Sequence, residues 1–174
     1  MKTPRERILT ISSKLFHQQG YNSTGINQII KEANVAKASF YHHFKSKEDL
    51  CIEFLNLRHD FWFEKLQQFI STTKTPKEKV LASFDFLKNM NKKENFRGCS
   101  FLNILSEISK DQERILFIIQ NHKNDLRSLF KNEIQDELLS IHIYLLFESS
   151  IIESQVFKSN ELIEKSKKII ENLI

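Results

Sequence analysis

The chain has 174 residues, which is enough for one or two small domains with a buried core. Its three glycines cannot build a glycine-rich phosphate loop, and so few glycines and prolines exclude a fold made of many short strands. The net charge of +4 falls entirely within residues 1–50, where eight Lys and Arg outnumber four acids, so a polyanionic partner is expected for this third of the chain.

Helix-start signals are easy to recognise in this sequence. The stretches "TPRE" at 3–6 and "TPKE" at 75–78 each place Thr at an N-cap and Pro at the first helical position. The Glu of each stretch stands where its carboxylate can accept a hydrogen bond from the backbone N–H of the N-cap residue. The first helix is predicted from Pro4 to about Gln19, and Gly20 is expected to end it.

Two short helices follow the first one. The second is predicted from about Thr24 to Ala33, and the third from Lys37 to Phe44 after a three-residue turn. Because Phe40 and Phe44 lie one helical turn apart, both are expected to face the core and to hold a helix that would be marginal by itself. The remaining side chains of the third helix are left at the surface, and these are Lys37, Ala38, Ser39, Tyr41, His42 and His43.

The rest of the chain is predicted to be helical as well. A long fourth helix runs from Lys47 to about Ile70, and Ser109 with Gln112 forms a third N-terminal box. Further helices are expected at about 76–92, 99–109, 111–133, 136–158 and 160–173. We therefore predict an all-α fold of about nine helices with a domain boundary in the fourth helix.

The short helices and their charge point to a function. Short helix, tight turn, short helix is the helix-turn-helix arrangement. A helix with flat or short polar side chains, flanked by lysines, fits the DNA major groove, which is about 12 Å wide, and the phosphates beside it. Residues 1–50 are therefore predicted to be a helix-turn-helix DNA-binding domain. Adjacent helical residues do not point the same way, so His42 and His43 are not expected to form a metal site.

The stretch "STGINQIIKEANVAKASFYHHFKSKEDL" at 23–50 resembles the DNA-binding signature of the TetR/AcrR repressor family. The resemblance begins in the first helix and continues to about residue 55. It implies phosphate contacts from Thr24 and Lys47, and base-edge contacts from Lys37, Ala38 and Ser39. It also implies that Tyr41, His42 and His43 contact the DNA backbone or bases.

Two positions depart from the family pattern. Asn34 stands where the family usually has Gly in the turn, and Asn tolerates the left-handed conformation, so the turn is expected to survive. Ala36 stands at the DNA-facing start of the third helix, where Ser is commonest. That change removes an N-cap and a phosphate hydrogen bond, at a cost of about 1 kcal/mol.

The resemblance extends more weakly into residues 51–174, which it implies are an effector-binding and dimerisation domain. The stretch "RGCSFLNILSEIS" at 97–109 is similar to a G-C-x-x-x-N-x-x-x-E element of one branch of the family. Candidate residues for an effector pocket are Phe61, Phe84, Cys99, Asn103 and Glu107. For Asn103 and Glu107 we favour the alternative that they hold neighbouring helices by buried hydrogen bonds. The last two helices are expected to pair in a homodimer through Phe147, Ile151, Leu162, Ile169, Ile170 and Leu173.

The resemblance implies a homodimeric repressor that binds a palindromic operator in double-stranded DNA and is released by a small, apolar effector. The alternative is a helical adaptor or structural protein that binds DNA and has no small-molecule site. Two cysteines and apolar runs too short to span a bilayer predict a soluble, cytoplasmic, nucleoid-associated protein with no membrane partner. No catalytic, metal or cofactor motif is present, so enzymatic activity is not expected.

Overall fold

The computed structural model describes residues 2–174, and this part of the chain is all-helical. The predicted fold class is confirmed. The nine helices of the described range are α1 (Pro4–Gln19), α2 (Ile26–Ala33), α3 (Lys37–His43), α4 (Lys47–Ile70), α5 (Pro76–Glu94), α6 (Ser100–Leu105), α7 (Glu113–Glu133), α8 (Glu137–Phe157) and α9 (Glu161–Leu173). Within residues 2–174, no helix combines the length and the apolar character that a membrane span requires.

The two strongest helix-start predictions are confirmed as capping boxes. At α1, the Glu6 N–H donates to Thr3 Oγ1 at 3.3 Å, and the Thr3 N–H donates to Glu6 Oε2 at 2.7 Å. Thr75 and Glu78 make the same reciprocal pair at α5. Each box satisfies backbone donors that the first helical turn leaves free, and loss of such a cap typically costs about 1 kcal/mol.

Residues 106–112 differ from the prediction, because α6 ends at Leu105 and α7 begins only at Glu113. The Glu107 carbonyl accepts a hydrogen bond from Asn22 Nδ2 at 2.7 Å. The Ser109 N–H donates to Gln112 Oε1 at 3.2 Å, so this predicted box forms a turn ahead of α7. These contacts hold the backbone outside both helices.

The chain forms two compact units that divide within α4. The first unit contains the residues up to Asp60 together with Ser100–Gln120, and the second contains Phe61–Cys99 together with Asn121–Ile174. The sequence did not predict that residues 100–120 would pack into the N-terminal unit. The functional division after residue 50 stays a prediction.

Buried aromatic rings hold the first unit together. Phe40 is 0% exposed and Phe44 is 3% exposed, and their ring centroids lie 6.2 Å apart. Phe16 packs against Phe54 at 5.7 Å. Tyr41, next to Phe40, is 40% exposed. The prediction that two rings of the third helix face inward and fix its orientation is confirmed.

A second aromatic cluster fills the core of the other unit. Phe147 is fully buried, and its ring centroid lies 5.2 Å from that of Phe84 and 5.1 Å from that of Phe130. Trp62 contacts the same ring at 6.2 Å. Such edge-on aromatic contacts add to the free energy of burying the rings. Phe84 and Phe147 are therefore core residues of the second unit.

We expect Phe40→Ala to lower the free energy of unfolding of the first unit by about 3–5 kcal/mol, because it leaves a cavity where a fully buried ring was. Tyr41→Ala is the matched control on the neighbouring, exposed position and should change stability by less than about 1 kcal/mol. Urea unfolding followed by circular dichroism measures both. Equal losses from the two variants would show that Phe40 does not anchor α3.

Candidate nucleic-acid interface

The turn between α2 and α3 is a Schellman motif. Asn34 adopts the left-handed conformation, with φ 51° and ψ 57°. The Asn34 N–H donates to the Lys31 carbonyl, and the Val35 N–H donates to the Ile30 carbonyl, both at 3.2 Å. These are the two hydrogen bonds that define the motif. The prediction that asparagine supports this turn in place of glycine is confirmed.

The start of α3 has no side-chain cap. Ala36 occupies the N-cap position in an extended conformation, and no side-chain hydrogen bond closes the first turn. The Phe40 N–H donates to the Ala36 carbonyl at 3.1 Å, and the Phe44 N–H to the Phe40 carbonyl at 2.9 Å. A helix of seven residues without a cap depends on burial of its apolar side, which here is Phe40.

The opposite side of α3 carries the polar side chains predicted for DNA. Lys37, Ala38, Tyr41 and His42 are exposed there, whereas Ser39 and His43 are half-buried. Within residues 2–174, the side chains of Lys37, Ser39 and Tyr41 have no hydrogen-bonding partner. The rings of His42 and His43 meet edge to face, with centroids 5.0 Å apart. The surface is available to a nucleic acid, and its contact with DNA stays a prediction.

Thr24 is the exception among the predicted DNA contacts. Its side chain is fully buried, and its hydroxyl donates to the Gly20 carbonyl at 2.6 Å. Its backbone N–H donates to the Tyr21 carbonyl at 3.2 Å. The Thr24 hydroxyl therefore closes the loop between α1 and α2 in this conformation, and a phosphate contact at Thr24 stays a prediction.

Lys47 lies at the N-terminus of α4, as predicted for a phosphate contact. Its Nζ stands 4.2 Å from the centroid of the Tyr21 ring, and no carboxylate of residues 2–174 lies within ion-pair distance of it. Burial lowers the pKa of Lys47, opposed by the electrostatic influence of Cys51 and Glu107. Burial also raises the pKa of Cys51 to about 12, so that side chain is a neutral thiol at neutral pH. The Lys47 ammonium therefore has no direct ion-pair partner among residues 2–174, although Glu107 influences its pKa.

Three side chains of residues 100–120 hold the α1–α2 loop and the start of α4. Gln112 Nε2 donates to the Tyr21 hydroxyl at 2.7 Å, and Glu107 Oε2 accepts from the Asn22 N–H at 2.6 Å. Arg114 pairs with Asp49 at 2.8 Å. Burial alone would raise the pKa of Asp49, but hydrogen bonds from Arg114 and Ser46 lower it. These partners are separated by 65 or more positions, and no local sequence signal connects them.

Gly20 allows this close approach. Its φ is +97°, a conformation that residues with a side chain rarely adopt, and a Cβ built there would stand 2.5 Å from Glu107 Oε1. The backbone conformation therefore favours glycine at this position, and a side chain there would also force the Glu107 carboxylate to move.

The predicted effector residues fall into different environments. In the second unit, Phe84 belongs to the core and Phe61 is 41% exposed. The Cys99 Sγ atom lies 3.7 Å from Lys123 Nζ. Asn103 and Glu107 belong to the first unit. The hydrogen bond from Asn22 to Glu107 agrees with the structural alternative favoured for that residue. A role in ligand binding for any of the five stays untested.

The second unit contains an open cleft of about 540 Å³ that involves none of these five residues. Its polar lining comprises four amides, two ammonium groups and one carboxylate, from Asn89, Asn91, Asn95, Asn160, Lys88, Lys92 and Asp85. The Asp85 carboxylate pairs with Lys88 at 2.7 Å. Phe69 and Phe96 are its aromatic walls. The volume falls in the range of small-molecule sites.

The predicted dimer residues divide between core and surface. Phe147, Ile151 and Ile170 are buried within the chain's own second unit and cannot meet a partner directly. Leu162, Ile169 and Leu173 of α9 are exposed, as a dimer surface requires. On α8 the large exposed apolar residues are different ones, namely Leu138, Ile141, Leu145, Ile152, Val156 and Phe157. The first five follow one another at spacings of three, four and seven positions. We call these five, together with Leu162, Ile169 and Leu173, the α8–α9 face.

The described part of the chain contains no group of three or more His, Cys, Asp or Glu side chains arranged to hold a metal ion. The geometry of the first unit instead supports binding of a large anion, through an exposed polar helix and the Lys47 ammonium.

Comparison with known proteins connects this geometry to a family. Residues 8–54 match the family described as bacterial regulatory proteins, tetR family. The sequence is 40% identical over 88 residues to the HTH-type transcriptional regulator LmrA of Bacillus subtilis, which is 50% of this chain and 45% of that protein. It is 36% identical over 75 residues to the HTH-type transcriptional regulator QacR of Staphylococcus aureus, which is 43% of this chain and 40% of that protein. The chain thus spans less than half the length of these curated relatives.

A solved structure extends the likeness to the whole fold. The crystal structure of a TetR-family transcriptional regulator from Streptomyces coelicolor aligns with 97% of this chain and 93% of that one, with a TM-score of 0.80. At 22% identity this match shows the fold alone. All three proteins are named as transcriptional regulators, which agrees with the expectation that the chain is not an enzyme.

Proposed function

We propose that this chain, whose N-terminal helices belong to the TetR family of bacterial regulatory proteins, is a homodimeric transcriptional repressor acting in the cytoplasm on a palindromic operator. The observation that carries the proposal is the division of α3 into a buried side, Phe40, and an exposed polar side. As a result, α3 exposes hydrogen-bonding groups along one side, and Lys47, which has no ion-pair partner among the residues described, follows at the start of α4.

Base recognition falls to the exposed side of α3. Lys37 and Ser39 offer donors and acceptors to base edges, and the small Ala38 lets the helix approach the floor of the major groove. Tyr41, His42 and His43 lie further along the same surface and contact the DNA backbone or neighbouring bases. Because Ala36 lacks a hydroxyl, it contributes only its backbone at the start of the helix.

Phosphate contacts fix the helix in the groove. Lys47 supplies a positive charge at the N-terminus of α4, and the free N–H groups at the start of α2 supply a second contact. Gly25 is the N-cap of α2 and makes no side-chain hydrogen bond there, so the backbone of this turn is open. We assign the phosphate contact that is expected near Thr24 to these N–H groups.

A homodimer is proposed through the α8–α9 face. Eight large apolar side chains on two helices are exposed in the single chain, and burying them against a second copy removes them from water. The three- and four-residue spacing on α8 suits packing of one helix against another. Two copies related by a two-fold axis present two α3 helices to a palindrome, whereas one seven-residue helix reads too few bases.

Release by a small molecule is proposed for the second unit. Its open cleft of about 540 Å³ offers a small molecule a place to bind, which a DNA-bound adaptor does not need. The amide and lysine groups of the cleft suit a ligand with hydrogen-bonding groups better than the wholly apolar effector expected from the sequence. An effector that binds more tightly to the DNA-free conformation shifts the population away from the operator.

Lys47→Ala should weaken binding to operator and to unrelated duplexes alike, by about tenfold, because a phosphate contact carries no sequence information. The slope of log K against log salt should fall by about 0.9. Fluorescence anisotropy at several salt concentrations measures both, with Lys131→Ala of the second unit as the charge-matched control. Ser39→Ala should instead change the preference among operator variants. A Lys47→Ala variant with altered preference and an unchanged salt slope would contradict the phosphate assignment.

Leu145→Glu should convert the dimer into a monomer, because Leu145 is 58% exposed at the centre of the α8 part of the α8–α9 face. Light scattering after size exclusion should then report the mass of one chain, 20.6 kDa, and operator affinity should fall. Leu57→Glu makes the same change at an exposed leucine of α4 and should leave the mass of the wild type unchanged. Dissociation by Leu57→Glu alone would place the interface elsewhere.

An effector should release the wild-type protein from its operator, and Lys92→Ala should weaken that release by removing a charge from the cleft. Operator affinity without effector should stay unchanged in this variant. Lys93→Ala, the next exposed residue along α5, is the matched control and should respond like the wild type. Metabolite extracts tested by anisotropy identify the effector. If no extract releases the protein from its operator, the result would favour the alternative of a DNA-bound adaptor without a small-molecule site.

A further inference from the structure

The position of Lys47 is set by an aromatic ring. Lysine has a flexible four-carbon side chain, and ordering it costs up to about 2 kcal/mol of conformational entropy. Here Nζ lies 4.2 Å from the centroid of the Tyr21 ring, within the range in which a ring attracts a cation. The side chain is half-buried, so part of the ammonium group still faces solvent.

Tyr21 is in turn held from several sides. Its ring is 5% exposed and lies 5.6 Å from the Phe16 ring. Its hydroxyl accepts a hydrogen bond of 2.7 Å from Gln112 Nε2. The next residue, Asn22, donates its backbone N–H to Glu107 at 2.6 Å. The ring therefore cannot turn away from Lys47 while these contacts persist.

The orientation of Gln112 is also fixed. Its Oε1 accepts from the backbone N–H of Ser109 at 3.2 Å while its Nε2 donates to Tyr21. Both ends of the amide are used, so the donor points at the phenol oxygen. A continuous set of contacts runs from Ser109 through Gln112 and Tyr21 to Lys47, all within the first compact unit.

We propose that Tyr21 and Gln112 are positioning residues for DNA binding, which act by holding the Lys47 ammonium where a phosphate meets it. The inference rests on the proposed function, because it presumes that Lys47 binds a phosphate. An ammonium group already ordered on the ring loses less entropy on binding than a free lysine does. Loss of the hydrogen bond from Gln112 to Tyr21 should consequently weaken the Lys47 contact with DNA, although Gln112 itself does not touch DNA.

A double-mutant cycle in the full-length chain tests this dependence. Tyr21→Leu should lower operator affinity about threefold to tenfold, the range of a partly buried cation–ring contact. In the Lys47→Ala background the same change should have no further effect on operator affinity, because nothing remains to be positioned. A purely structural role of Tyr21 would lower affinity by the same factor in both backgrounds.

Milder variants keep the test decisive if Tyr21→Leu fails to fold. Gln112→Ala should lower operator affinity about twofold to threefold, and again only when Lys47 is present. Tyr21→Phe keeps the ring and loses only the hydroxyl, so it should match Gln112→Ala, and combining the two should add nothing. Lys110→Ala, an exposed neighbour in the same turn, is the control and should bind like the wild type.

The outcomes separate the two proposals. If the wild type binds its operator and the losses from Gln112→Ala and Lys47→Ala multiply, the positioning role is wrong and the DNA-binding function stands. A wild type that binds no duplex DNA would overturn both.

Discussion

Burial of Phe40 and Phe44 is the interaction on which the proposed DNA-binding surface depends. The helix that carries the recognition side chains has seven residues and no N-cap, so its own hydrogen bonds do not suffice to keep it folded. Two rings one turn apart fix both its existence and its rotation about its axis. Because these two rings are buried, Lys37, Tyr41 and His42 on the opposite side are exposed, and Ser39 and His43 are half-buried. Phe40 and Phe44 hold the helix by apolar packing. The polar side chains on its other side are therefore not needed for folding, and they can differ without loss of the helix.

Local signals in the sequence predicted the elements well, because they involve residues three or four positions apart. The capping boxes at Thr3 and Thr75, the left-handed Asn34 and the inward Phe40 all belong to this class. Side-chain environments were harder to predict. α8 is apolar nearly all round, so periodicity could not distinguish the buried Phe147 from the exposed Leu145. Both the buried residues and the exposed apolar residues of α8 recur at three and four positions, so spacing alone could not show which set faces the core.

Contacts between distant residues could not be predicted from one sequence. Thr24 looks like a polar residue at a helix start, yet its hydroxyl closes the α1–α2 loop. Glu107 looks like a pocket residue, yet it accepts a hydrogen bond from the backbone of that same loop. The Thr24 bond spans four positions, whereas the bond to Glu107 joins residues 85 positions apart. The family signature ends near residue 55, whereas the first compact unit is completed by residues 100–120, whose side chains meet the loop and the start of α4.

The late position of that segment affects how the protein is made. The N-terminal helices α1 to α3 leave the ribosome before Ser100 to Gln120 have been joined to the chain. At translation rates of about 10 residues per second, the delay is on the order of five seconds. During that time Tyr21 lacks Gln112, and the Gly20–Asn22 backbone lacks its carboxylate partner. The nascent N-terminal helices consequently remain incomplete until much of the remaining polypeptide has been synthesised, and a truncated transcript ending before residue 100 would encode a loop without its support.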